Sequence, residues 1–255
     1  MKQKLMHGFI PNKGSVDMSN NLQHVSVWHT DLQKAFDAKQ ISRMWVIFEL
    51  RDTDVIELRA IWPKIPGKPK PPRTRHFYVG RYPSVDACQR AVEAATLQLN
   101  QDGYNTYIVM NPLRPDFESR NARKEDVLHR RLLLVDLDRA GSKNDPATLQ
   151  ELDASLAVAK SIMAFTSNLG LPEPSIVMSG NGYHLYYRLA DLPNTPEITT
   201  LIEGTLQSLA DIFNTDSVEV DTKVSDAGRI TKIPGTIARK GKESADRPYR
   251  QAVVV

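Results

Sequence analysis

The stretch Arg131–Asp138 reads RLLLVDLD and constrains the fold more than any other part of the chain. Four consecutive aliphatic residues closed by acids describe a buried strand that ends at a charged edge. A strand of this kind needs a core to lie in. With 255 residues, the chain is one large domain or two small ones and can build that core without covalent staples. Hydrophobic residues at 41% and charged residues at 25% exclude a disordered chain. Residues i and i+2 of a strand share a face, so Asp136 and Asp138 project together from its end.

Around this strand the other elements follow from local signals. A loose, turn-rich extension is expected over residues 1–24, then a short helix over His29–Lys39. WVIFEL (45–50) and VIELRAIW (55–62), separated by RDTD, suggest an antiparallel strand pair, with HFYVG (76–80) as a third strand. Ser84 caps a helix through Asn100 that Gly103 closes, and NTYIVMNP (105–112) is a buried strand. Pro146 opens a long helix through Asn168, and a further helix covers Thr195–Phe213. SIVMSG and YHLYYRLA are strands joined at Asn181-Gly182, a hairpin signal. Strands and helices mix without regular alternation, which favours an α+β fold with a mixed or partly antiparallel sheet.

Several classes are excluded. No run of about 18 apolar residues exists to span a membrane, and the N-terminus lacks an apolar stretch of secretory type. The single cysteine, Cys88, rules out a disulfide within the chain and any metal centre built on several thiolates. A cytoplasmic location is the expectation. The net charge of +3 permits a nucleic-acid or nucleotide partner without demanding one. The segment Pro63–Arg75, PKIPGKPKPPRTR, holds five cations and five prolines and no acid. It is either a solvated connector or a stiff arm whose Lys68, Lys70 and Arg73 contact phosphates.

Three constellations carry chemistry. Asp136 and Asp138 repel one another unless a positive ion neutralises them, and hard cations such as Mg²⁺ or Mn²⁺ suit such oxygen ligands. Two solvated acids at a strand end would give the same pattern. In SGNGYH (179–184) the glycines permit a tight turn whose amides approach an anion, and His184 begins the return strand. A plain hairpin with an incidental histidine is the bland alternative. In VEVDTKVSDAGRITKIPGTIARKGK, Asp221 ends a short alternating strand, and Arg229, Lys232, Arg239 and Lys240 follow around Pro234-Gly235-Thr236. Three carboxylates can hold two metals that activate a 3′-hydroxyl and stabilise a pyrophosphate leaving group, with the histidine and the cations facing triphosphate oxygens. Trp28, Trp45 and Trp62 are expected to anchor the core, and His29, His76 and His129 to be structural or surface residues. Tyr183 and Tyr186 are expected to face away from His184.

The order hhhDhD, SGxGxH, then hD followed by RxxKhPGT resembles the archaeo-eukaryotic primase superfamily of primases and primase-polymerases. The resemblance covers Leu132 to Lys242 and extends through RKGKESADRPYR toward the tail of bacterial, phage and CRISPR-associated members. It implies an RRM-like catalytic core with an N-terminal α/β unit packed against it: residues 25–255 as the catalytic domain, divided at 130/131. It implies Asp136, Asp138 and Asp221 as ligands of two divalent ions, Mg²⁺ or Mn²⁺. His184, with Ser179 and Gly180 of the hairpin, and Arg229 and Lys232 are implied nucleotide contacts; Arg239 and Lys240 are expected to meet nucleic acid.

The implied activity is template-dependent synthesis or extension of primers from NTPs or dNTPs on single-stranded or primed DNA. A nucleic-acid-binding replication module without catalysis, or a metal-dependent nuclease or phosphatase, are the alternatives. Ala238 stands where many relatives carry Asn or His. No Walker A sequence occurs, so a helicase, like a CRISPR adaptation or replication partner, would be another chain. The final Val-Val-Val suggests an ending in mid-strand and hence a longer protein.

Overall fold

The structure, a computed structural model, describes residues 38–118 and 121–255. The expected extension, Trp28, His29 and most of the first expected helix lie outside the described residues. In chain order the elements are α1 (Ala38–Ser42), β1 (Val55–Ile61), β2 (Arg73–Tyr78), α2 (Val85–Gln101), β3 (Asn105–Val109), β4 (His129–Arg139), α3 (Leu149–Asn168), β5 (Ser175–Met178) and β6 (Tyr183–Pro193). There follow α4 (Pro196–Phe213), β7 (Val218–Val220), β8 (Ile230–Lys232), β9 (Ile237–Ala238), β10 (Arg250–Gln251) and β11 (Val253–Val254).

Two sheets dominate, one ordered β11-β5-β6-β4-β7 and the other β2-β1-β3-β8, with β9 and β10 forming a small ribbon. Every strand pair among the described residues is antiparallel, as an α+β fold with hairpin connections requires. The strand that dominates the sequence, β4, lies between β6 and β7. Its odd positions Leu133, Val135 and Leu137 are buried on the side covered by α3 and α4, and its even positions Leu134, Asp136 and Asp138 face the opposite side. The other sheet carries α2, whose Cys88, Val92, Ala95 and Leu99 form the buried stripe. One continuous apolar core runs through both sheets.

Helix starts follow side-chain caps. Ser84 Oγ accepts from Ala87 N at 3.2 Å, and Thr195 Oγ1 from Ile198 N at 3.4 Å, with Pro196 opening α4. Helix α3 begins at Leu149 rather than at Pro146, because Thr148 and Glu151 make a reciprocal capping box that fixes the first turn three residues later.

One expected strand does not form. WVIFEL continues a 3₁₀ turn over Arg43–Val46 instead of pairing with β1. Ile41, Met44, Ile47 and Phe48 are all buried, a helical spacing that overrides the aromatic and β-branched composition of the segment. Strand β1 pairs instead with β2 across the proline-rich segment, Val55 opposite Tyr78 and Ala60 opposite Arg73. That segment is therefore a hairpin connector, and β2 starts within it at Arg73, earlier than the expected His76. Among the described residues no helix is long and apolar enough to cross a membrane.

Candidate nucleotide-binding cleft

The even-numbered face of β4 forms one wall of a cleft of about 850 Å³. Across β4 and β6, Asp136 is the register partner of His184. The imidazole Nε2 lies 3.3 Å from Asp136 Oδ1, and its Nδ1 lies 3.0 Å from the Tyr186 hydroxyl oxygen. On the other side, Asp138 opposes Glu219 of β7, and the backbone N–H of Asp221 donates to the Asp136 carbonyl at 2.9 Å. Residues 85 positions apart in sequence thus become neighbours, with Asp136 and Asp138 on β4 beside Glu219 on β7 and Asp221 just past its end. The Asp221 side chain is turned to Arg229 Nη2 at 3.1 Å and to the Lys223 N–H at 2.9 Å, and it does not itself line the cleft.

Burial alone would raise the Asp136 carboxyl, but His184 beside it, with Arg229 and Lys143 further out, holds it below the usual carboxylate range. Asp138 goes the other way: burial and the charge of Asp136 push it up, against the pull of Lys143. Lys143 Nζ is 3.1 Å from Asp138 Oδ2 and also hydrogen-bonds Glu219, and these contacts outweigh burial and raise its pKa.

The hairpin between β5 and β6 closes through Ser179, whose N–H and hydroxyl both donate to Gly182 O at 2.9 and 3.1 Å. Gly182 lies so close to β4 that a Cβ there would sit 2.1 Å from the Leu137 carbonyl oxygen. Gly180 has φ +98°, and its Cβ would stand 2.5 Å from that of Ala238. The small residue at 238 therefore belongs to the seating of the turn. Asn181 Oδ1 accepts from Ala147 N at 3.0 Å and ties the turn to the loop before α3.

The opposite wall comes from the other sheet. Tyr107 of β3, Thr231 and Lys232 of β8, and Arg229 just before it all line the cleft. Tyr186 bridges the two sheets by hydrogen-bonding Thr231 as well as His184. The expectation that Tyr183 and Tyr186 both face away from His184 holds only for Tyr183: Tyr186 lies two residues on and shares its face. Lys232 is 5% exposed, donates to Ile237 O at 3.0 Å and has its ammonium 5.6 Å from the Tyr107 ring. Among the described residues no carboxylate pairs with it, and burial, with Arg239 nearby, holds it well below the ordinary lysine value. Lys64, Lys143, Arg229, Lys232, Arg239, Lys240 and Lys242 line the cleft against Asp136, Asp138 and Asp145, so it is strongly cationic apart from its acidic floor.

Of the proline-rich connector, Pro63, Lys64 and Pro66 reach the cleft, whereas Lys68, Lys70 and Arg73 do not. Lys70 lies over Trp62 at 4.3 Å, and Arg73 over Tyr104 at 5.1 Å with Asp102 at 3.7 Å. Trp62 packs edge-on against Tyr104, and Trp45 against the core. His76 is 2.9 Å from buried Glu57.

Residues 142–147, which carry Lys143, are gripped by their carbonyls. Arg139 donates to Ser142 O at 2.8 Å and Pro146 O at 2.9 Å, Arg247 to Pro146 O at 2.7 Å, and Arg250 to Ala147 O. Glu151 joins the clasp, 2.8 Å from Arg139 and 2.9 Å from each of two Arg247 nitrogens. Burial would raise Glu151, but Arg247, the Thr148 N–H and Arg139 bring it down to about 2. A carboxyl lowered by folding contributes stability above its ordinary pKa near 4.5 and loses it as pH falls toward 2. Glu151→Gln is therefore expected to lower the melting temperature at pH 7 and to flatten its fall between pH 4.5 and 2. Thermal melts across that range check this.

Among the described residues no three His, Cys, Asp or Glu side chains stand as a ready metal cage. The donor chemistry nonetheless fits hard divalent cations. Asp136 and Asp138 are half-buried oxygen donors forced onto one face, the second pushed up by burial and by the charge of the first, with Asp221 adjoining. The sequence reasoning missed Glu219 and Tyr186, although both follow from two-residue spacing, to Asp221 and to His184. It also missed Lys143, a loop residue with no local signal.

No family model matches this chain, and no curated protein matches it. Among solved structures it is similar to primase RepB′, at 16% identity and TM-score 0.47, over 86% of this chain and 55% of that one, so it spans about half the length of that relative. It is similar to the catalytic domain of primase RepB′ in complex with initiator DNA, at 15% identity and TM-score 0.45, over 85% and 82% of the two chains. The polymerase domain of Mycobacterium tuberculosis Ligase D in complex with DNA is similar at 13% identity and TM-score 0.47, over 90% and 84%. The three are a primase, a primase catalytic domain and a polymerase domain, the last two in complex with DNA.

Proposed function

We propose that this chain is a template-dependent nucleotidyltransferase of the primase-polymerase kind, with residues 25–255 as its catalytic domain and the β4-containing sheet as its RRM-like half. The observation that carries this reading is the meeting, in one cationic cleft, of Asp136 and Asp138, His184 3.3 Å from Asp136, and Arg229 and Lys232 on the facing wall. Asp136, Asp138 and Asp221 would hold two divalent ions, Mg²⁺ or Mn²⁺. When bound, such ions supply the positive charge that favours attack by a primer 3′-hydroxyl and departure of pyrophosphate.

The chain's own residues do the rest. Lys232, buried without a carboxylate, has its charged form held down by burial, and an anion beside it would favour the ammonium; with Arg229 and His184 it binds and orients the triphosphate of an NTP or dNTP. Ser179, Gly180 and Gly182 seat the hairpin that carries His184 against β4. Tyr186 holds the imidazole at Nδ1, and Nε2 faces Asp136 on the cleft wall. Lys64, Arg239, Lys240 and Lys242 line the cleft for single-stranded or primed DNA.

The test is incubation with single-stranded template, labelled NTPs or dNTPs and Mn²⁺ or Mg²⁺, with and without primer. Template-dependent incorporation is expected. DNA binding without incorporation under either ion would mean a non-catalytic module, and release of nucleotides from DNA without added triphosphates would mean a nuclease.

A further inference from the structure

We propose that Lys143 is a built-in counter-ion, whose ammonium neutralises Asp138 and Glu219 and must withdraw before a divalent cation settles on this acidic face. The inference rests on the reading of Asp136, Asp138 and Asp221 as cation ligands. Asp138 and Glu219 are opposite one another across β4 and β7, so their side chains rise from the same face. Asp136 lies on that face one pleat away, and Asp221 is its neighbour through the backbone hydrogen bond. The acids on that face, Asp136, Asp138 and Glu219, repel one another and draw in a cation.

Lys143 supplies one, 3.1 Å from Asp138 Oδ2 and hydrogen-bonded to Glu219. Its placement is engineered into the loop. Arg139, Arg247 and Arg250 hold the carbonyls of Ser142, Asp145, Pro146 and Ala147, and Gly241 N donates to Lys64 O beside them. With the backbone clasped on both sides of Lys143, the flexible four-carbon stem is the part left to move. Withdrawal is thus a change of side-chain rotamer, and an arriving divalent cation replaces the single ammonium charge beside Asp138 with two. Two cations cannot share Asp138 without repulsion, so the lysine weakens cation binding at rest and confines it to conditions that compensate for its removal.

The experiment is a Mn²⁺ titration of the purified protein, followed by the electron paramagnetic resonance signal of the free ion, without nucleotide or DNA. Wild type, Lys143→Met and Lys143→Arg are compared. Lys143→Met is expected to bind Mn²⁺ about tenfold more tightly than wild type, and Lys143→Arg, which keeps the charge, to bind like wild type. Thermal melts give a second readout: in chelator, Lys143→Met melts below wild type, and saturating Mn²⁺ raises its melting temperature by more. Equal or weaker binding by Lys143→Met overturns the inference. Failure of all three proteins to bind Mn²⁺ at millimolar concentration overturns the metal reading itself, a result distinct from equal affinities.

Discussion

Asp136→Ala and Asp138→Ala are each expected to reduce primer extension by at least about a thousandfold, the loss that follows removal of a group stabilising several kcal/mol of transition-state charge. Binding to primed DNA, measured by fluorescence anisotropy, is expected to stay within a few-fold of wild type, because the cleft keeps its seven cationic residues. Asp138→Asn adds a diagnostic sign. Burial and Asp136 push the Asp138 carboxyl up, so its charge is held against a cost in the folded protein. Losing that charge should leave the melting temperature unchanged or raise it while activity disappears, the opposite of what a merely structural acid would show. Retention of extension by the double Asp136→Ala, Asp138→Ala variant would sink the assignment.

Gly182→Ala carries the largest structural effect. The added Cβ would meet the Leu137 carbonyl oxygen at 2.1 Å and the Leu137 carbonyl carbon at 3.2 Å, both backbone of the strand that bears the two acids. Backbone cannot swing aside as a side-chain tip can. The hairpin or β4 must shift, at a cost of about 3 kcal/mol or more, and a fall in melting temperature of roughly 6–12 °C follows for a chain of this size. Gly180→Ala meets a second obstacle as well, since its φ of +98° disfavours any L side chain. Thermal denaturation of the two variants checks this, and a Gly182→Ala protein melting within about 1 °C of wild type would show that the turn stands off the strand.

Much of this was legible in sequence because the signals were local. Alternation along Arg131–Asp138 placed two acids on one face, and Asn181-Gly182 marked the hairpin that β5 and β6 form. Ser84 announced its helix by capping chemistry. The spacing of hD after the hairpin motif put Asp221 beside Asp136 only with the help of a family resemblance, since nothing in a strand of three residues names its partner. What escaped was non-local. The segment around Trp45 has strand composition, but packing of Met44, Ile47 and Phe48 into the core decided for a turn. The segment carrying Lys70 and Arg73 read equally as a connector or a cationic arm; the fold makes it the β1–β2 connector, with Lys70 over Trp62 and Arg73 over Tyr104. Lys143 acquires its role only when β7 brings Glu219 next to Asp138.

The bond between Tyr186 and Thr231 ties strands of different sheets at a buried point beneath the cleft, with His184 attached to the same hydroxyl. It pins the two sheets to one another at that point. If the jaws part to admit a duplex, the groups near the pin travel least and those at the rim travel farthest. The spacing between the histidine and its facing wall is then preserved through opening, and any widening falls on the lysine-rich rim, where the bond from Gly241 N to Lys64 O would have to break.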